Sequence, residues 1–226
     1  MTKTPSAAQL AAIKSALFAL CLIPLAYYAQ RWFDDALGAN PIEAITRASG
    51  EWTLRFLLIT LAVTPLRKLT GLNWLIRLRR TLGLFAFFYA SLHFTTYVWL
   101  DQFFDLQAMA RDIMKRPFIT VGFAAFVLLV PLALTSNNYA IRRLGGRRWQ
   151  SLHCSVYAIG ILAIVHYWWL VKADILEPMI YGLILAALLG VRGWWREQER
   201  RRQVTTSMPP PRMPGAKVIP LVAKSR

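Results

Sequence analysis

Charged residues are missing from three long stretches of the chain, and acidic residues are scarce throughout. The uncharged stretches lie between Arg80 and Asp101, between Arg116 and Arg142, and between Arg148 and Lys172. The 226 residues include 27 Lys and Arg but only 11 Asp and Glu, which leaves a net charge of +16. The basic residues form short clusters between apolar runs instead of following a polar face, so the pattern argues against nucleic-acid binding.

Apolar runs of this length predict helices that span a membrane. Each of the three stretches has about 20 residues or more, enough to cross roughly 30 Å of hydrocarbon as a helix. Three shorter runs, residues 15–30, 52–66 and 178–191, bring the predicted number of spans to six, although Arg55 interrupts the second of them. With a hydrophobic fraction of 56%, the sequence therefore predicts an all-α polytopic membrane protein with six transmembrane helices.

The charges of the loops predict the orientation of these helices. Basic segments alternate with mixed or acidic ones: residues 67–80, 136–148 and those after 191 are basic, whereas residues 31–51, 101–116 and 172–177 are mixed or acidic. The positive-inside rule then places both termini in the cytoplasm, as expected for a multi-pass protein of the bacterial inner membrane.

Three segments of different character follow from this topology. Residues 1–14 form a cytoplasmic N-terminus, and residues 15–195 form the six-helix transmembrane domain. Residues 196–226 are basic and rich in proline, which predicts a disordered cytoplasmic tail. The chain has no GxGxxG and no phosphate-binding loop, so a flavin or nicotinamide reductase would have to be a separate polypeptide.

Histidine is rare, and every copy lies in the predicted membrane region: the three are His93, His153 and His166. An ionisable side chain at membrane depth is energetically costly and is typical of a functional site. His93 lies about 13 residues and His166 about 17 residues from the cytoplasmic ends of their helices, which is roughly 20 and 25 Å along the axes. Two neutral imidazoles at similar depth on facing helices predict the axial ligands of a haem b iron.

His153 lies near the cytoplasmic ends of the helices, and no second histidine is available to face it. On one regular helix His153 and His166 would point about 140° apart, so a shared face requires over- or underwinding, which we expect near Gly160. The third helix offers Arg79, Arg80 and Thr81 at the depth of His153, so a second haem would need another type of ligand. A histidine that only hydrogen-bonds between helices is the alternative for each position, above all for His153.

Several short motifs resemble the MsrQ family, formerly YedZ. They are residues 79–84 and 91–93, residues 116–122, residues 134–136, residues 149–153 with Tyr157, and residues 166–167. The resemblance covers about residues 40 to 195 and includes the pattern of loops. It implies a haem-binding bundle like that of ferric reductases.

The resemblance also implies a function, cofactors and partners. MsrQ proteins are haem b subunits that pass electrons, from the quinone pool or a flavin donor, to MsrP, a periplasmic molybdopterin enzyme that reduces methionine sulfoxide in oxidised proteins. Family members are described as binding FMN as well. By position, His93 and His166 would be the axial pair and His153 the third family histidine. The partners would be an MsrP-like subunit and the quinone pool or a cytosolic flavin reductase, within the lipid bilayer.

Two other classes of function remain open at this point. A membrane transporter or scaffold without a redox cofactor is one, although the predicted spans have few charges with which to couple ions. A stand-alone cytochrome b that reduces ferric iron is the other. The absence of a flavin and nicotinamide domain from the sequence weakens this last alternative.

Overall fold

The computed structural model describes residues 4–171 and 174–207, and these residues form helices joined by short turns. The α-helices of this part of the chain are α1 (Ala7–Phe33), α2 (Pro41–Thr70), α3 (Arg79–Thr95), α4 (Leu106–Lys115), α5 (Pro117–Leu134), α6 (Asn138–Leu144), α7 (Gly146–His153), α8 (Val156–Leu170) and α9 (Leu176–Ser207). A 3₁₀-helix (Asn73–Leu78) precedes α3, and a π-helical turn (Thr96–Asp101) follows it. The predicted all-α class is confirmed.

Within the described residues, four helical segments are long and apolar enough to cross a membrane. These are Ala7–Phe33, Pro117–Leu134, Gly146–Leu170 and Leu176–Val204. The chain is therefore a membrane protein. The other two predicted spans fall in α2, which contains Glu51 and Arg55, and in α3, which has only 17 residues before its π-helical turn.

The α2 and α3 helices supply most of the buried core. Leu61 of α2 and Ala86 of α3 are completely buried, and the ring of Phe56 stacks on that of Tyr89 with centroids 5.3 Å apart. Large apolar side chains of α1, α5, α8 and α9 are exposed instead, as expected of surfaces that face lipid. A helix enclosed by protein can carry polar residues with partners, which explains why α2 is less apolar than the outer helices.

A proline and an inserted tyrosine disturb the middle of α1. Pro24 has no backbone N–H, so the helix loses one hydrogen bond to the preceding turn. The Tyr89 hydroxyl donates to the Cys21 carbonyl at 2.8 Å and accepts from the Leu25 backbone N–H at 3.1 Å. Tyr89 thereby ties α1 to the buried helix α3 at the point where the α1 backbone is weakest.

The prediction of a long loop at residues 31–51 is wrong, because helices occupy most of this segment. α1 continues to Phe33, and α2 already begins at Pro41, more than ten residues before its apolar run. The Asn40 side chain accepts from the Glu43 backbone N–H at 3.2 Å, and proline at the first helical position needs no partner for its missing donor. Capping residues, and not hydrophobicity, determine where α2 begins.

Contacts divide the chain into two compact units, Met1–Leu189 and Gly190–Arg226. The described part of the second unit, residues 190–207, is helical and carries an ion pair between Arg201 Nε and Glu197 Oε1 at 2.9 Å. The prediction of disorder from residue 196 onwards is therefore wrong for residues 196–207, which continue α9. Its proline-rich part, residues 208–226, lies outside the described residues.

Candidate functional site

Two of the three histidines face each other between α3 and α8. The ring centroids of His93 and His166 are 6.2 Å apart, and the ring planes are inclined by 74°. Both side chains are half-buried among the helices of the first compact unit. The similar depth that helix geometry predicts for the two residues is thus accompanied by a close approach of their rings.

Each of these two imidazoles is oriented by a backbone carbonyl. His93 Nδ1 lies 2.9 Å from the Thr46 carbonyl oxygen, and His166 Nδ1 lies 2.7 Å from the Phe118 carbonyl oxygen. A carbonyl oxygen only accepts, so Nδ1 of each ring carries the hydrogen and donates it. The lone pair of each neutral ring is then on Nε2, which is the arrangement typical of histidines that ligate a metal.

A glycine lies beside each ring. A Cβ atom added at Gly50 would come within 3.1 Å of His93 Cε1 and 3.2 Å of His93 Nδ1. A Cβ atom added at Gly122 would come within 2.7 Å of both Cε1 and Nδ1 of His166, which is closer than such atoms approach. The backbones of α2 and α5 therefore approach the rings only because these two residues lack a side chain.

The same local arrangement occurs twice in the bundle. In each case the carbonyl that accepts from the histidine lies four residues before the glycine that packs on it: Thr46 and Gly50 in α2, Phe118 and Gly122 in α5. Residues four apart share one helix face, so each supporting helix presents a carbonyl and a flat glycine surface to its histidine. The pairs α2–α3 and α5–α8 thus hold opposing imidazoles in the same way.

The spacing of the rings fits a single metal atom between them. A metal takes each imidazole nitrogen at about 2 Å, so the centres of two opposed rings lie about 6 Å apart once the ring radii are added. The observed 6.2 Å agrees with this value. A pair of histidines supplies two ligands, and haem is the cofactor whose macrocycle supplies the other four.

The helix that carries His93 changes its winding just beyond this residue. The Thr96 hydroxyl donates to the His93 carbonyl at 2.8 Å, and the π-helical turn begins at Thr96. Short π-helical segments inside α-helices are frequent at functional sites, since they alter the direction of the following side chains. The change here separates the histidine-bearing part of α3 from the exposed turn at Gln102–Asp105.

His153 does not join this pair. Its Nε2 lies 3.0 Å from the Thr135 hydroxyl oxygen, and its ring stacks on Trp149 with centroids 3.9 Å apart. The Thr135 hydroxyl donates its hydrogen to the Pro131 carbonyl at 2.6 Å, so it accepts from His153 Nε2. The nitrogen that haem iron normally takes is therefore engaged in a hydrogen bond between helices.

The chain between His153 and His166 is interrupted, but not where the sequence led us to expect. The prediction of altered winding near Gly160 is wrong: the turn lies at residues 154–155, between α7 and α8. The Ser155 hydroxyl donates to the Leu152 carbonyl at 2.7 Å, and such local bonds compete with helix continuation. Gly160 instead lies within α8, where a Cβ atom would come within 3.2 Å of Leu185.

A polar cluster near the histidine pair was not predicted from the sequence. Arg55 pairs with Glu51 at 2.8 Å and donates through Nε to the Tyr181 hydroxyl at 2.9 Å. The Tyr167 hydroxyl donates to Glu177 nearby. Arg55, which interrupts the apolar run of residues 52–66, is thus held by protein partners. Its position one helical turn beyond Glu51 was the only signal of this pairing.

Comparison with known proteins agrees with the helical membrane-spanning fold. Residues 49–164 match the family model described as ferric reductase like transmembrane component. Curated relatives named protein-methionine-sulfoxide reductase heme-binding subunit MsrQ include one from Azospira oryzae, 63% identical over 85% of this chain and 83% of the relative. The relative from Herminiimonas arsenicoxydans is 60% identical over 86% of this chain and 90% of its own length. The relative from Xanthomonas campestris pv. campestris is 54% identical over 82% of this chain and 87% of its own length. No solved structure matches the chain.

The helical fold, the four long apolar segments and the matching model define a ferric-reductase-like transmembrane protein. The high identity to several curated relatives over most of their length narrows this class further. The chain belongs to the MsrQ family.

Proposed function

We propose that this chain is a haem b electron-transfer subunit of the inner membrane, with His93 and His166 as the axial ligands of the haem iron. The observation that carries the proposal is the opposed pair of rings at 6.2 Å, each with Nδ1 bonded to a carbonyl and Nε2 left for a metal. The names of the relatives, which are heme-binding subunits, agree with it. When bound, haem b supplies a carrier that takes up and releases one electron at a time.

The residues of the chain prepare this site in three ways. The carbonyls of Thr46 and Phe118 fix the tautomer and the direction of each imidazole, which preserves its affinity for iron. Gly50 and Gly122 allow the supporting helices to approach the rings and limit their rotation. The surrounding apolar core keeps water away and lowers the local dielectric constant.

The topology in this proposal has six spans, with α2 and α3 crossing the membrane in addition to the four more apolar segments. The length of α2 is 30 residues, about 45 Å, and the 17 residues of α3 continue directly into the six-residue π-helical turn. Arg55 of α2 pairs with Glu51. The hydroxyls of Thr60 and Ser91 donate to backbone carbonyls of their own helices, so the lower hydropathy of α2 and α3 is compatible with a span. The alternation of basic loops then places both termini in the cytoplasm.

The partners proposed are those that the family resemblance implies. Electrons come from the quinone pool or a flavin donor, and they leave to a periplasmic MsrP-like subunit that reduces methionine sulfoxide in oxidised proteins. FMN enters the proposal on the resemblance alone. His153, bonded to Thr135, is proposed as a structural link between α5 and α7 unless a second haem recruits it.

Proteoliposomes containing the full chain, a reduced quinol and an MsrP-like subunit test this function. We expect quinol-driven reduction of a methionine sulfoxide peptide by the wild-type chain, loss of this activity in His166→Ala, and retention in Gly182→Ala. Gly182 lies in α9 against Ile164 at an ordinary contact distance of 3.6 Å, so it serves as the control.

Two outcomes would redirect the proposal. Activity with a reduced flavin but not with quinol would make the flavin the donor. Reduction of ferric citrate with no transfer to the catalytic subunit would favour a stand-alone ferric reductase. Equal peptide reduction with and without the chain would contradict the electron-transfer role altogether.

A further inference from the structure

The short helix α4 has an apolar face that the protein covers only in part. Met109 points into the bundle and is buried, whereas Leu106 and Met114 are 75% and 80% exposed, and Ala110 between them is exposed as well. Leu106, Ala110 and Met114 are spaced four residues apart and form one stripe along the helix. We call these three residues the α4 stripe.

The position of α4 places this stripe at the edge of the membrane. The helix ends at Lys115, and α5, one of the segments able to span the membrane, begins at Pro117. With ten residues α4 is about 15 Å long, too short to cross the hydrocarbon region. A helix that ends so close to the start of a span lies at the boundary between lipid and water.

The charges beside the stripe fit a lipid surface. Arg111 and Lys115 lie one helical turn apart on the face next to the α4 stripe. Arg116 comes directly after the helix and pairs with Asp112 at 3.3 Å. Basic residues that flank an apolar face are typical of helices lying in a membrane interface, since they attract the phosphates of the headgroups.

Two exposed phenylalanines precede α4 in an unusual backbone conformation. Phe103 and Phe104 are 78% and 61% exposed and have φ angles of +47° and +62°. Positive φ angles are strained for bulky residues and persist only where other contacts enforce them. The Phe104 backbone N–H donates to the Val98 carbonyl at 2.9 Å, and the Asp105 side chain caps α4. The turn thus holds two aromatic rings outwards beside the stripe.

We propose that α4 is an amphipathic helix that lies in the membrane interface, with the α4 stripe, Phe103 and Phe104 inserted among the lipids. These apolar side chains are exposed in the described part of the bundle. Insertion among lipids would remove them from water. The helix also borders the candidate site: the Thr120 hydroxyl of α5 donates to the Ile113 carbonyl of α4, two residues after Phe118. This inference goes beyond the proposed function and does not depend on haem binding.

Fluorescence quenching in nanodiscs tests the position of α4. The full chain with Cys21→Ala and Cys154→Ala receives one further substitution at a time, Leu106→Cys, Ala110→Cys or Met114→Cys, and an environment-sensitive fluorophore is attached. The matched controls are Gln107→Cys, Arg111→Cys and Lys115→Cys, which have the same spacing one residue further along the helix. The nanodiscs contain phosphatidylethanolamine and phosphatidylglycerol, with or without nitroxide-labelled lipid.

We expect the nitroxide lipid to quench labels at the α4 stripe several-fold more strongly than labels at the control positions, and a water-soluble quencher to show the reverse order. Equal quenching of the two sets by lipid would contradict the proposal. So would stripe labels that become protected only when an MsrP-like subunit is added, because the surface would then be a protein-docking site. A monodisperse gel-filtration profile in each variant ensures that folded protein is compared.

Discussion

Replacing either His93 or His166 with alanine is expected to abolish haem binding, whereas His153→Ala leaves the haem between α3 and α8 in place. The first two variants each remove one of the two opposed imidazoles. Loss of residues that merely orient a metal ligand costs about 10- to 100-fold in affinity, so loss of a ligand itself should cost more than this. His153 contributes a hydrogen bond to Thr135 and no ring to the pair.

The measurement is the ratio of haem to protein after expression with added haem, for wild type and the three alanine variants. Gel filtration in detergent separates loss of the cofactor from loss of the fold. Full haem content in both His93→Ala and His166→Ala would contradict the assignment of the axial pair. Partial loss in His153→Ala would instead indicate a second haem with a different opposing ligand.

Gly122→Ala is expected to lower haem affinity by about 10- to 100-fold, the loss typical of residues that orient a metal ligand. The new methyl group would lie 2.7 Å from two atoms of the His166 ring, and the α5 backbone that carries it cannot yield easily. The ring must rotate or withdraw, which breaks its hydrogen bond to the Phe118 carbonyl and misdirects Nε2. Titration of the haem-free protein with haem measures the effect.

Other glycines provide graded controls for this prediction. At Gly50 the methyl group would lie 3.1 Å from the nearest His93 atom, so Gly50→Ala should have a smaller effect that a slight shift of the ring relieves. At Gly83 the nearest atom is the Thr60 methyl carbon at 3.6 Å, an ordinary contact. Gly83→Ala should therefore leave haem affinity unchanged. Equal affinities in Gly122→Ala and Gly83→Ala would show that the close approach to His166 has no role in binding.

The similar height of His93 and His166 along their helices could be predicted from the sequence, because it depends on quantities that hardly vary. A helix rises by 1.5 Å per residue, and by the positive-inside rule clusters of basic residues are expected at the cytoplasmic ends of spans. Counting from these ends was enough to place His93 and His166 at similar heights. The opposition of their rings additionally requires the rotation of α3 and α8 about their axes, which tertiary packing determines.

The supporting residues could not be predicted for the same reason. Gly50 and Gly122 were two glycines among the 12 in the sequence, and nothing local distinguishes them. Their role appears only when α2 packs on α3 and α5 on α8, so that a backbone touches each imidazole. The shared spacing of four residues between acceptor carbonyl and glycine is recognisable afterwards, once the two histidines are known.

Helix boundaries show a different limit of prediction from the sequence. Hydropathy locates the apolar centre of a helix, but polar turns that continue it beyond the lipid have no hydrophobic signal. The first turns of α2 are an example, since Asn40, Pro41 and Glu43 begin a helix that hydropathy detects only later. Conversely, the uncharged run that contains His153 and His166 gave no sign of the turn at residues 154–155.

The electron paramagnetic resonance spectrum of the oxidised, haem-loaded protein tests the paired-histidine site most directly, because the spin state of ferric haem reports its axial ligands. With imidazoles from both α3 and α8, we expect a low-spin signal in wild type that is lost in His93→Ala and in His166→Ala. A high-spin signal in the wild-type protein, or a low-spin signal that persists unchanged in both variants, would contradict it.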